Sequence, residues 1–476
     1  MIWRTRLQPG PHTGKVWASL DKRGKSKKVI PYPRREQELG SREDLESKPT
    51  SQVDFVELSD GAIAEMIEDP QDATRTVFAL YRDQSISYRD RIEEGSRIFV
   101  PLPRANEIVK YVRLAQGAEP YGKIQDLGSE VGLILRACLD LDASALTLLT
   151  AFAVSTWLQE NAPIAPYLAL VGPPGSGKTT ALRVLNSLCY RGLLTGDISS
   201  AAFYDICHQI RPTLLIDETI TAGRPRELIH LLKVSSTPDA VSLRRGSARL
   251  AYGPKVFAWL ELPNDAALNS RCLIVPMHRT SNAQLKPLCD PQVLRWVKMT
   301  RKHLLQFRLE CIKSPTVPPI PTDVRLSGRP LDLYRAVAVP FVHDEFTRRR
   351  LAELISQQQR EHQIHILSSP QESLFRVLDF CIHQGSPHVN FDMKSLTALV
   401  NNDLLDRGEA HRMNERKLGS LLTSLSFTDR ARTNAGYVLY LNFKDRVRIH
   451  ENIRDYALEK ISGYSGKHCE LCRLIR

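Results

Sequence analysis

Residues 167–185 read YLALVGPPGSGKTTALRVL, an apolar run that stops at a glycine-rich loop and resumes as a helix-compatible stretch. Gly172, Pro173, Pro174, Gly175, Ser176, Gly177, Lys178 and Thr179 fit the pattern G-x-x-x-x-G-K-[ST], and Thr180 follows. Glycines at this spacing let successive backbone N–H groups turn inward on phosphate oxygens, and the helix that follows adds its positive end. The spacing therefore predicts a triphosphate site, with ATP as the bound nucleotide. Lys178 is the catalytic charge expected on the β and γ phosphates, and the Thr179 hydroxyl is expected in the shell of a Mg2+ ion.

A second apolar run, PTLLIDE at 212–218, ends in two carboxylates. Asp217 is placed to hold Mg2+ directly or through water, and Glu218 to polarise the attacking water as a catalytic residue. Alone, an acid pair after a strand also reads as a solvated strand end. Its pairing with Lys178 makes ATP hydrolysis the leading reading.

The chain has 476 residues, 42% of them hydrophobic, enough for two or three domains with sizeable cores. Its 65 Lys and Arg against 53 Asp and Glu give a formal charge of +12. That balance favours a polyanionic partner, nucleic acid first and an anionic membrane surface second. The nine cysteines are scattered, and the amino terminus MIWRTRLQPG has no apolar signal core, so a reducing cytoplasm with free thiols is expected. The longest apolar stretch, 145–158, is shorter than a bilayer-spanning helix needs and reads as a buried helix; nucleic acid is the partner expected, and a membrane is not.

Six regions follow from the pattern along the chain. Residues 1–52 are basic and rich in proline and glycine, and read as a disordered tail. Residues 53–118 read as a small α+β module, with strands at 77–81 and 96–102 and a helical turn at 62–67. In the 119–290 core, helices are expected at 131–139 and 146–158, divided where an aspartate caps the second, and again at 199–210 and 226–232. Strand, helix and strand in that order imply an α/β fold with a parallel sheet covered on both faces. Segments 240–243 and 249–252 flank Arg244 and Arg245 as a β-hairpin, and 255–262 (KVFAWLEL) is a further buried strand. Residues 291–366 hold three helical patterns around the hinge SPTVPPIPT, consistent with a lid and linker. At 367–447, helices at 373–381, 393–405 and 416–425, the last capped by Asn414, precede a hairpin at 430–443. That order resembles a winged helix, whose third helix would carry Arg416 and Lys417 to DNA and whose wing would carry Arg430 and Arg432. A winged helix used only for protein contacts remains open. The tail, 448–476, contains Cys469 and Cys472 at metal-ligand spacing beside His468, an incomplete zinc set.

Taken together, YLALVGPPGSGKTT, RPTLLIDE and GPKVFAWLELPNDAALNSRCLIVPM resemble the AAA+ ATPases and helicase-like proteins of plasmids, phages and integrative elements. The resemblance covers roughly residues 122–277. It implies an AAA+-like P-loop NTPase core with a helical lid, assembly into a ring, and action on DNA. It further implies that Arg271, ending the D-x-A-L-x-x-R segment, is an arginine finger for a neighbouring subunit's nucleotide, and that Arg329 is a lid arginine. In a ring, the 240–252 hairpin would project at the central channel, where Arg244 and Arg245 could track phosphates; the same arginines could equally face bulk water. The strand before Pro263 lacks the asparagine common in such proteins, leaving Glu261 or Asn264 as substitutes. Three functions are open at this point: an oligomeric ATPase motor on DNA, a nucleotide-switched DNA-binding regulator without motor activity, and a small-molecule kinase, the last disfavoured by the positive charge.

Overall fold

The computed structural model describes residues 49–217, 225–238, 240–244, 247–263, 265–366, 369–383, 390–409, 412–434, 436–455 and 458. Of the expected disordered tail at 1–52, residues 1–48 lie outside the described residues, as do the candidates Glu218, Arg245, Asn264, His468, Cys469 and Cys472, whereas Thr50–Val53 is a strand paired parallel with Arg97–Pro101 and not tail.

A five-stranded parallel sheet organises the rest. Its strands are β1 (Tyr167–Val171), β2 (Leu193–Thr195), β3 (Leu214–Asp217), β4 (Lys255–Trp259) and β5 (Cys272–Pro276), in spatial order β5-β1-β4-β3-β2. β1 and β4 are buried almost throughout, as strands covered on both faces must be. Helices cover the sheet: the P-loop helix α1 (Lys178–Leu188) crosses β4 and β3, and Ile124–Cys138, Ala143–Ser155 and Pro291–Cys311 add a thick apolar layer. Asp142 caps the second of these by accepting from the Ala145 amide at 2.7 Å, the cap expected from sequence. β2 and β5, with three and five residues, had no separate signal in the sequence because each sits between stronger apolar segments.

The 53–118 region differs from expectation. Ile63–Glu68 is a strand, not a helical turn, lying between Phe55–Glu57 and Thr76–Arg82 in a four-stranded antiparallel sheet. All six of its residues are buried, so the alternation that marks a half-exposed strand is missing, and a short apolar run cannot be told from a helix by period. Apart from the short 3-10 turn Val109–Tyr111, the region's regular elements are strands. Ile63, Ile67, Val77 and Ala79 join one continuous core with the helices that cover the parallel sheet.

Charge is buried at that seam. Glu65, 1% exposed, meets Arg191 at 2.5 Å and Arg308 at 3.0 Å, and Arg308 also pairs with Glu160 at 2.8 Å. Burial pushes the Glu160 carboxyl up, but the Arg308 guanidinium outweighs it and holds the group below the ordinary range. Breaking one member of such a set leaves an uncompensated buried charge, typically at a cost of about 3–5 kcal/mol.

Residues 369–458 form their own apolar cluster. Helices Ser369–His383, Met393–Asp406 and Glu415–Ser424 accompany a three-stranded antiparallel sheet in the order Asn390–Asp392, Gly436–Tyr440, Arg430–Thr433. Asn414 caps its helix as expected, accepting from Lys417 N at 2.9 Å. A further helix, Phe443–Asp455, falls largely in the segment read as tail; FKDRVRIHENIRD has too few apolar residues to announce itself. The seven described cysteines are free, and burial pushes the Cys189 thiol up to about 12. Among the described residues no helix is long and apolar enough to cross a membrane.

Candidate nucleotide-binding site

β1 has β4 on one side and β5 on the other, and the connections leaving β1 and β4 run in opposite directions across the sheet, to β2 and to β5. Ligands in open α/β sheets bind beyond the carboxyl ends of the strands at such a point. The glycine-rich loop lies at this place, between the end of β1 and the start of α1.

Two of its glycines are required by geometry. A Cβ on Gly172 would stand 2.1 Å from the Met277 carbonyl oxygen, because the loop presses against the exit of β5. Gly177 has φ of +84° and forms the N-cap of α1, a left-handed conformation costly for residues with a Cβ. Gly175, at +79°, is left-handed as well. Lys178 is buried and folds back over the loop, donating from Nζ to the Gly172 carbonyl at 2.6 Å and the Pro173 carbonyl at 3.0 Å. The Ser176 hydroxyl is buried without a hydrogen-bond partner, and a buried polar atom of this kind is costly unless something completes it. Pro173, Pro174 and Thr180 are exposed around the rim.

β3 is separated from β1 by β4, so about 10 Å lies between the two strands. The first turn of α1 spans that gap: Thr179 Oγ1 donates to Asp217 Oδ2 at 3.0 Å. A phosphate fits the donor set of the loop, with Ser176 Oγ available to it and Lys178 able to turn from carbonyls to phosphate oxygens. Mg2+ fits the adjoining hydroxyl and carboxylate, both hard oxygen ligands. When bound, the ion would neutralise phosphate charge; Thr179 and Asp217 would orient it.

Arg279 was not singled out by the sequence. Its Nε donates to the Pro174 carbonyl at 3.0 Å, which sets an exposed guanidinium beside the loop. Its signal was a cation three residues past β5, a strand that had not been read as one.

The other candidates are more dispersed. Arg271 precedes β5, whose Cys272 pairs with Tyr167 at the start of β1, so roughly 16 Å of strand separates it from the loop in its own chain. It is 8% exposed, bonded through Nε to Ser236 Oγ at 3.0 Å and through Nη1 to the Ala267 carbonyl. Burial, then the neighbouring Arg329, lowers its pKa. This arrangement orders the loop before β5; the side chain does not project outward. Val241–Arg244 and Ser247–Leu250 form the expected hairpin, with Leu243 81% exposed; the side chain of Arg244 is outside the described set. Arg416, Lys417 and Arg432 are exposed. Arg430 instead bonds inward, to the Gly419 carbonyl at 2.9 Å and to Thr423 Oγ1, tying its strand to helix Glu415–Ser424. Glu261 is exposed at the end of β4.

No family model and no curated protein matches this chain. Among solved structures it is similar to one titled SCCmec type IV Cch, active helicase, at 11% identity over 84% of this chain and 80% of that one, with a TM-score of 0.38. It is also similar to the NrS-1 C-terminal region, at 10% identity, 79% and 95% coverage and a TM-score of 0.35. A full-length MCM homolog from Methanopyrus kandleri follows at 12% identity, 62% and 70% coverage and a TM-score of 0.32. These scores are low, and the functional reading rests on the chain's own residues.

Proposed function

We propose that this chain is a Mg2+-dependent ATPase of AAA+ type that acts on DNA as a helicase-like protein, in the setting of a mobile genetic element. The observation that carries the nucleotide assignment is the 3.0 Å contact of Thr179 with Asp217 beside a loop whose Lys178 and Ser176 present donors at one place. Lys178 and the loop amides would hold the phosphates, Thr179 and Asp217 the metal, and Glu218 would orient water. Arg279 is the added contact on the same chain.

DNA as partner is supported by the charge of +12 and by exposed Arg416, Lys417 and Arg432 on a carboxyl-terminal unit whose element order suits a winged helix. The hairpin tip, with Arg244 and Arg245, is a second contact in this reading. A ring is the proposed assembly, and Arg271 would serve as its finger only if the bonds to Ser236 and Ala267 open when subunits meet. The alternative, a nucleotide-switched DNA-binding regulator, shares every one of these contacts except unwinding. A strand-displacement assay on forked DNA separates them: ATP-dependent displacement lost in Lys178→Ala supports the helicase-like reading. ATP-sensitive DNA binding with no displacement supports the regulator.

A further inference from the structure

Helices Ser369–His383 and Phe443–Asp455 pack together with two imidazoles in contact, their planes tilted by 52°: His383 Nε2 and His450 Nε2 are 3.2 Å apart. The opposite ring nitrogens fix the tautomers. His383 Nδ1 lies 2.6 Å from the Asp379 carbonyl oxygen and His450 Nδ1 lies 2.7 Å from the Arg446 carbonyl oxygen. A carbonyl only accepts, so each Nδ1 carries the hydrogen, and in the neutral rings each Nε2 presents a lone pair to the other. Two lone pairs at that distance repel unless something positive stands between them. The Asp379 carboxylate lies 3.4 Å from His383 Nδ1, and donors of Asp379, His383 and His450 all fall within 4.8 Å of one another.

We infer that Asp379, His383 and His450 form a site for a borderline divalent metal ion, zinc by first preference, that pins the last helix of the carboxyl-terminal unit to its first. Two nitrogens about 2.05 Å from a tetrahedral zinc stand about 3.3 Å apart, close to the separation found here. A shared proton could occupy the same gap. The metal is favoured by what surrounds it: ligating histidines commonly donate their other N–H to a backbone carbonyl or carboxylate, and both rings do so. The side chains of His383 and Asp379 are 3% and 5% exposed and His450 is 6% exposed, so the donors are held in place by packing. Asp379 would reach the ion by a rotamer change of on the order of 1–2 Å, or remain the carboxylate that orients His383, with water completing the shell. The site also accounts for the seating of a mostly polar helix, whose inner face offers little beyond Ile449 and Ile453.

The test uses the full chain, stripped with chelator and titrated with Zn2+ and Co2+. Expected is one ion per chain, a Co2+ spectrum without a sulfur charge-transfer band, and a thermal transition that rises with Zn2+. His450→Gln and Asp379→Asn, checked for folding by circular dichroism, should weaken binding by about 100-fold and about 10-fold or more respectively. The double substitution Cys469→Ser, Cys472→Ser should leave it unchanged. Absence of stoichiometric binding, a sulfur band in the wild-type Co2+ spectrum, or loss of binding only with the cysteine substitutions would overturn the assignment. If the imidazole pair responds to pH and not to metal, a shared proton takes the ion's place and the proposal is wrong.

Discussion

Two lysines near the sheet carry opposite burdens. Lys178 spends its charge on loop carbonyls that a phosphate could replace. Lys255 has 0% exposure at the amino-terminal end of β4, donating to the Ala251 and Gly253 carbonyls, and burial pushes its ammonium down from 10.5 to about 8. Between those values the unfolded chain binds more protons than the folded one, so stability rises with pH through that window. The penalty is fully present below about 8 and is gone above the unfolded value. The stability of the wild type relative to Lys255→Met should therefore improve by up to about 3 kcal/mol between pH 7 and pH 10.5, as read by urea unfolding. A gap that stays flat with pH would show that burial does not lower the lysine's pKa. At the acid pair, Glu218→Gln should preserve ATP binding while slowing hydrolysis by roughly 10²-fold. An equal loss of binding and turnover would make Glu218 structural.

Among the elements, those around the glycine-rich loop and the helix caps were the most legible. The P-loop strand and helix, the strand ending at Asp217 and the caps at Asp142 and Asn414 each have a local signature that packing reinforces. What escaped was set by pairing rather than by local pattern. Ile63–Glu68 is a central strand buried on both faces, β5 emerges from a segment that carried the family resemblance but no strand expectation of its own, and Phe443–Asp455 is a polar helix seated by a few contacts. Missing β5 concealed Arg279, and with it one cation beside the loop. Arg430 carried the right charge but spends it within the chain, which no spacing rule could foresee. If the carboxyl-terminal unit is the DNA-reading element, removing residues 370–476 should weaken duplex binding and flatten its salt dependence by about one unit of slope per lost phosphate contact, with basal ATPase kept. Unchanged affinity and slope would reassign the unit to protein contacts.

At the scale of the whole molecule, a net charge of +12 and a site built beyond the carboxyl ends of the sheet's strands leave a question about assembly. A finger acts only across an interface, so ATPase activity per subunit should rise with protein concentration and with DNA, and Arg271→Ala should lose that rise. Because Arg271 also holds Ser236 and Ala267, the variant's thermal transition must be measured beside its activity. A lower transition with concentration dependence intact would assign Arg271 to ordering the loop. Mixing Arg271→Ala with Lys178→Ala then tests the shared interface, since a mixed contact can restore an intact loop opposite an intact arginine.

All of this depends on nucleotide occupying the loop between β1 and α1. The most direct measurement is an equilibrium titration of a fluorescent ATP analogue into wild type and Lys178→Ala, each with Mg2+ and with chelator. The structure predicts saturable, Mg2+-strengthened binding that falls by about 100-fold in the variant, as expected for the loss of a charge-assisted contact. Equal affinity in the two folded proteins, or binding indifferent to Mg2+, would contradict it.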